Sequence, residues 1–221
     1  MRKRGYTLAV IFIILILPVV VMFCINHGKN KYTQLPYFGN YKGIAPNGDT
    51  IRHTIRSYSL TDQNHNPFGS DQLRGKVYVA DFFFTSCGTI CPTLTKNLMR
   101  VQEAFETAKD FHVVSITIDP EHDTAEVLQN YKAKYKIKTP NWHFLTGKKG
   151  YIYDVMNTDG FLLIKPEPDP ATKELEHTGI LSLVDKEGHV RGQYQGTDDE
   201  EIDRLMDEIR LLYVNYANAK K

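Results

Sequence analysis

Between Val77 and Arg100 the chain reads VYVADFFF, then TSCGTI, then CPTLTKNLMR, and this stretch limits the possible folds more than any other. Its first part is an apolar run broken only by Asp81, which predicts a buried strand. From Pro92 to Thr107, residues Leu94, Leu98, Met99, Val101 and Phe105 recur at helical spacing and mark one face. Pro92 falls where a first helical turn tolerates it, because the amide it lacks would be unpaired there anyway. The stretch is therefore a strand, a turn and the start of a helix.

Cys87 and Cys91 lie on that turn with three residues between them. One helical turn would set their Cα atoms about 6 Å apart, inside the span of a disulfide. The unpaired amides and dipole of a helix start favour negative charge, which raises the thiolate fraction of a nearby cysteine. Such a pair can exchange disulfides, hold a soft metal ion, or serve as a plain structural bridge. Spacing by itself leaves these open.

A chain of 221 residues suits one domain with an appendage, and a net charge of +1 gives no electrostatic case for nucleic acid. The appendage is at the front. Arg2, Lys3 and Arg4 precede Leu8 to Ile25, eighteen residues without a charged or polar side chain, at the lower edge of what spans a bilayer. Met22, Phe23 and Cys24 do not form a small-residue cleavage site, so the segment reads as an uncleaved single-pass anchor over residues 1–25. Three basic residues before it against Lys29 and Lys31 after it place the N-terminus in the cytoplasm and the domain on the extracytoplasmic side. Disulfides persist there, so the pair is either a structural bridge or is kept reduced for a purpose, and the compartment alone does not choose between them.

Residues 26–50 read as a linker with short edge pairing at most, and 51–217 as the folded domain. Ile51 to Leu60 followed by the turn chemistry of Asp62 to Gly69 predicts a hairpin. Phe111 to Ile118 is a second buried strand, and Asp123 or Thr124 caps a helix carrying Val127, Leu128, Tyr131 and Tyr135. Trp142 to Leu145 is a short strand, with a short helix after Gly147. Lys165 to Glu176 is a proline-rich acidic loop; Ile180 to Val184 and Val190 to Tyr194 flank a turn at Asp185 to His189; and Asp198 caps a last helix. Alternation of strand and helix, then a hairpin, then a helix, predicts an α/β thioredoxin-like fold, a mixed sheet flanked by helices.

In such a sheet the segment entering the Ile180 strand faces the turn that carries the cysteines, so His177 can approach both sulfurs. Two thiolates and an imidazole make a three-coordinate site whose sulfur selects Cu(I) or Zn(II). A structural zinc site would normally close with four protein ligands, one more than can be assembled here. The other seven histidines sit in strands, turns, loops or beside the anchor.

The motifs FTSCGTICP at 84–92, SITIDPEHDT at 115–124 and WHFLTG at 142–147, with His177 ahead of LVDKEG at 183–188, resemble the Sco/SenC family in family order, over about residues 50–215. That resemblance implies a membrane-anchored domain binding one copper ion, Cu(I) or Cu(II), through Cys87, Cys91 and His177. It implies a role in assembling the CuA centre of cytochrome c oxidase, by delivering copper, by reducing the target's cysteines, or both. The implied partner is the oxidase subunit carrying CuA, with other copper carriers or thiol reductants beside it. Asp119 and Asp123 match acidic positions of the family, behind the ligands or facing a partner, although a strand end and a helix cap explain them equally well. Glu176 stands where the family usually has Asp, and a tyrosine often found shortly upstream is absent.

The alternative is a thiol-disulfide oxidoreductase using Cys87 and Cys91 as a redox pair. Against it, the cysteines are spaced C-x-x-x-C, and His177-Thr178 stands where a thioredoxin has a proline before the strand. A peroxidase of the peroxiredoxin type would want Thr where Phe84 stands.

Overall fold

The computed structural model describes residues 12, 14–21, 34–40, 42–46, 48–157, 160–163 and 179–219. The chain divides into two compact units, Met1–Thr33 and Gln34–Lys221. In the first, residues 12 and 14–21 are helical and exposed; among the described residues no helix is long and apolar enough to cross a membrane. The remainder of the Leu8 to Ile25 segment lies outside the described residues.

The second unit is built on a seven-stranded sheet. Ahead of it comes a small hairpin, β1 (Gly43–Ile44) and β2 (Thr50–Ile51), paired antiparallel. The sheet itself contains β3 (Ser59–Asp62), β4 (Pro67–Gly69), β5 (Val77–Phe83), β6 (Phe111–Thr117), β7 (Trp142–Thr146), β8 (Ile180–Val184) and β9 (Val190–Gln195). Their spatial order is β4-β3-β7-β6-β5-β8-β9. Strands β5, β6 and β7 run parallel, and β8 is antiparallel to β5. All seven residues of β5 and all seven of β6 are buried, as strands covered on both faces must be.

The helices are α1 (Ser70–Leu73), α2 (Cys91–Ala104), α3 (Ala125–Lys134), α4 (Lys149–Met156) and α5 (Asp199–Ala219). Helices α2, α3 and α5 bury Leu94, Leu98, Val101, Leu128, Tyr131, Ile202, Leu205, Ile209 and Leu212 in the layer that holds Val77, Val79, Phe83, Phe111 and Val113. The opposite layer takes Tyr78, Ala80, Phe82, Val114, Ile116 and Ile118 against Leu73, Ile152, Val155, Met156 and Phe161. The mixed α/β sheet with helices on both faces is the expected one. Helix α1, a single turn, had no expectation attached to it: four residues are too few for a periodic signal.

Thr124, the second of the two candidate caps, starts α3, its hydroxyl accepting the Val127 amide at 3.4 Å. Asp198 accepts the Glu200 amide at 2.9 Å, as a cap of α5 does. Residues 34–40 lie against the folded unit: Phe38 N–H donates to Val190 O at 2.9 Å. Arg191 donates to Leu35 O and Pro36 O at 2.6 and 2.9 Å, and the Tyr37 ring stacks with Arg52 and Arg191, each guanidinium 3.9 Å from its centroid. Prolines and glycines hide such pinning from a periodicity argument, because it depends on partners 150 positions away in the chain.

Candidate functional site at the start of helix α2

Strand β5 ends at Phe83 and α2 begins at Cys91, so the thiols occupy a short loop on the face covered by α2 and α5. The loop's first turn closes with Cys87 N–H donating to Phe84 O at 3.3 Å. Ile90 precedes the helix and offers no capping side chain. A sulfur takes that role instead: Cys91 N–H donates to Cys87 Sγ at 3.4 Å. The thiol thereby sits where helix-start amides favour an anion.

Both cysteines are unbridged and buried, Cys87 at 8% exposure and Cys91 at 2%. Their chemistry is asymmetric. Burial opposes charge on Cys87, but hydrogen bonds with Cys91 and with Thr89, whose Oγ1 lies 3.7 Å from Cys87 Sγ, outweigh it and hold the thiol below its ordinary value. For Cys91, burial and then the bond to Cys87 push the thiol well above its ordinary range. The outer sulfur is the readier nucleophile and metal ligand; the inner one releases its proton only when something replaces the charge.

Asp123 is 1% exposed, and its carboxylate accepts from Thr85 and Thr117 beneath the thiol loop. Asp119 lies two residues past the end of β6, its amide donating to Thr117 Oγ1 at 3.0 Å and its carboxylate 2.8 Å from the exposed His122 ring. Glu176 and His177 lie outside the described residues. The chain is next described at Gly179, in left-handed conformation (φ +62), where Gly179 O accepts from Gly196 N–H at 2.8 Å. A Cβ on Gly179 would stand 3.1 Å from Ile90 Cδ1. The chain therefore enters β8 in contact with the loop between the two cysteines.

Sequence reasoning passed over Thr85 and Thr117, which carry no signal until the loop and β6 are adjacent. It noticed Asp81 only as an interruption. Asp81 is 2% exposed on the thiol face of β5, where its carboxylate accepts from Ser115 Oγ at 2.5 Å, and Ser115 Oγ in turn accepts from Trp142 Nε1 at 2.9 Å. Burial pushes the Asp81 carboxyl up to about 7, against the lowering effect of the Ser115 bond.

A second group, Asp185, Glu187 and His189, brings three ligand-type atoms within 4.8 Å of one another. The Asp185 carboxylate is already engaged, accepting from Arg191 at 2.9 Å and from the amides of Glu187 and His189 at 3.1 and 2.8 Å. It holds the β8–β9 turn.

Solved structures share this architecture. A SCO1/SenC family lipoprotein from Bacillus anthracis is 30% identical, with a TM-score of 0.65, over 73% of this chain and 95% of that one. BsSco, described as a Sco-family cytochrome c oxidase assembly protein with a disulfide switch, is 26% identical, with a TM-score of 0.62, over 73% and 94%. Copper-bound ScoI from Bradyrhizobium japonicum shares the fold at 23% identity, with a TM-score of 0.59, over 72% and 99%. The family model for SCO1/SenC matches residues 47–213, which takes in the whole sheet and both cysteines, and the chain belongs to that family.

Proposed function

We propose that this protein is a membrane-anchored copper-binding assembly factor for the CuA centre of cytochrome c oxidase, a carrier of the ion and not an enzyme. The ligands in this reading are Cys87, Cys91 and His177. The observation that carries it is the meeting of Gly179 with Ile90, beside two unbridged sulfurs. Chain geometry allows at most about 3.6 Å per residue, so a residue two places before Gly179 is tethered within roughly 7 Å of it, close to the thiol loop. Two sulfurs and one imidazole suit copper and leave it open to ligand exchange with an acceptor. Binding displaces the thiol protons, so affinity rises with pH.

BsSco and copper-bound ScoI support the same reading by their family and their fold. The anchor is residues 1–25, with the domain on the extracytoplasmic side. It is tested by fractionation of cells expressing the full chain and by labelling the domain with an impermeant reagent.

The ligand set is tested by titrating the reduced full chain with Cu(I) against a competing chelator. Structural metal sites are worth about 10–16 kcal/mol over four ligands, so Cys87→Ala, Cys91→Ala or His177→Ala each lowers affinity by about 10²- to 10³-fold. Wild-type affinity in His177→Ala would defeat the assignment.

A second reading, thiol-disulfide exchange with the CuA cysteines or other extracytoplasmic proteins, draws on the asymmetry between Cys87 and Cys91. Multiple turnover of a CuA-site peptide disulfide in the absence of copper would favour it.

A further inference from the structure

The thiol loop closes on itself through Cys87 N–H to Phe84 O at 3.3 Å and Cys91 N–H to Cys87 Sγ at 3.4 Å. Ser86, Gly88 and Thr89 are exposed, and between Thr85 and Ile90 only Cys87 is buried. At the near end of the loop a carboxylate from another part of the chain adds a grip on Thr85. Asp123 Oδ2 accepts the Thr85 amide at 3.0 Å and the Thr117 hydroxyl at 2.6 Å, and its Oδ1 accepts the Thr85 hydroxyl. Thr117 Oγ1 also accepts the Asp119 amide at 3.0 Å, so the hydroxyl is held from both sides at the end of β6. Asp123 N–H donates to Asp119 O at 2.9 Å, which sets the carboxylate's own backbone.

This arrangement is not needed for the helix that follows. Thr124, not Asp123, caps α3. Nor is the carboxylate available to a docking partner, since three donors surround it at 1% exposure. Two of those three donors belong to Thr85, two residues before Cys87.

We infer that Asp123 is the positioning residue of the thiol loop: by gripping Thr85 through both its amide and its hydroxyl, it holds Cys87 at the separation from Cys91 that lets both sulfurs close on one ion. A loop held in its binding geometry does not have to be ordered when the ion arrives, and the ion is retained accordingly. The part of this inference that concerns an ion rests on the copper reading above; the part that concerns the loop does not.

The test uses the full chain with Asp123→Ala, Asp123→Asn and Thr85→Val. Iodoacetamide labelling of Cys87 in the reduced protein, read by mass spectrometry across low urea concentrations, separates local opening of the loop from global unfolding. Local opening is insensitive to urea, whereas global unfolding depends on it steeply. Losing a buried charge-assisted bond to a loop is expected to speed labelling about tenfold or more in Asp123→Ala, without urea dependence. Thr85→Val falls between that variant and wild type. Asp123→Asn stays within about threefold of wild type, because an amide can serve the same partners once the Thr85 hydroxyl turns to accept.

Copper affinity should fall about ten- to a hundredfold in Asp123→Ala, the usual range for a partner behind metal ligands, and recover in Asp123→Asn. A wild-type labelling rate in Asp123→Ala, acceleration that appears only with the urea dependence of unfolding, or an unchanged copper affinity would each overturn the inference. If Asp123→Ala does not fold, Thr85→Val decides by the same readouts, since it leaves two of the three bonds in place. If the wild-type chain takes no copper, the copper reading falls, and the labelling arm alone decides whether Asp123 holds the loop.

Discussion

The two faces of the central strand β6 run in opposite senses. Toward the thiols the side chains are Phe111, Val113, Ser115 and Thr117, apolar at the start and polar at the end; on the other face they are His112, Val114 and Ile116, polar at the start and apolar at the end. Each face of the strand therefore contributes to a buried polar system. On the thiol face it is Asp81, Ser115 and Trp142, with Thr117 and Asp123 beyond it under the cysteine loop. On the far face His112 Nδ1 meets His143 Nε2 at 3.2 Å, and the His143 ring stacks on Phe68 with centroids 3.8 Å apart. The difference teaches where polarity is spent for function. Polar groups on the thiol face gather toward the end of the strand that supports the loop, while the histidine pair lies at the opposite end of the strand.

The two systems also respond to protons with opposite signs. Burial holds both histidines neutral, down to about 4 for each ring, with mutual repulsion adding to the effect on His143. The unfolded chain binds these protons at higher pH than the folded one, so stability from the pair is present above about 6.5 and is lost as pH falls toward 4. Asp81 is the reverse. Its folded value of about 7 lies above the unfolded value of 3.8, so the folded state binds the extra proton, and stability is lost as pH rises through that interval.

The largest effect expected from unbalancing the two faces is at Trp142, fully buried on the thiol face and the donor to Ser115. Trp142→Ala should cost about 3–5 kcal/mol in urea unfolding, from the cavity and the lost bond to Ser115 together. A loss under about 1 kcal/mol would show that this layer is less closely packed than its burial implies. Next is Asp81→Asn, which removes the acid and leaves the histidines unopposed. Stability of this variant between pH 4 and 6.5 should rise more steeply than in wild type, by on the order of 2–3 kcal/mol across the window. A slope equal to wild type would mean that Asp81 does not carry the proton assigned to it.

Replacing the far-face pair, His112→Leu with His143→Leu, should invert the profile, so that stability falls as pH rises from 4 to 7. The rings are hydrogen-bonded and titrate as one system, so the expected change is again on the order of 2 kcal/mol. The smallest effect is the most discriminating for function: this double variant should hold copper within about twofold of wild type, as distant sites do. A larger loss would tie the far face to the metal site and erase the distinction between the faces.

Much of the fold was legible in the chain because its signals are local. The largely apolar runs of β5 and β6, interrupted at Asp81 and at Ser115, read as buried strands, and Pro92 after the second cysteine fits a helix start. Of the site, the two cysteines were visible for the same reason: spacing and turn chemistry lie within a dozen residues. The grip of Asp123 on Thr85 was not legible, because it joins residues 38 positions apart through a geometry that no pattern encodes. Asp81 looked like a flaw in a strand until Ser115, on the neighbouring strand of the same face, supplied its partner.

The sequence alone settled the kind of chemistry available, since residue type determines which atoms can ligate, exchange or ionise, and settled the order of the longer strands and helices around the cysteines, since periodicity is a property of neighbours. Only the tertiary structure decided which sulfur is the outer one, which acid supports the loop, and which histidines face each other. Burial and hydrogen bonding, which set those roles, are created by chain segments that are remote until the sheet brings them together.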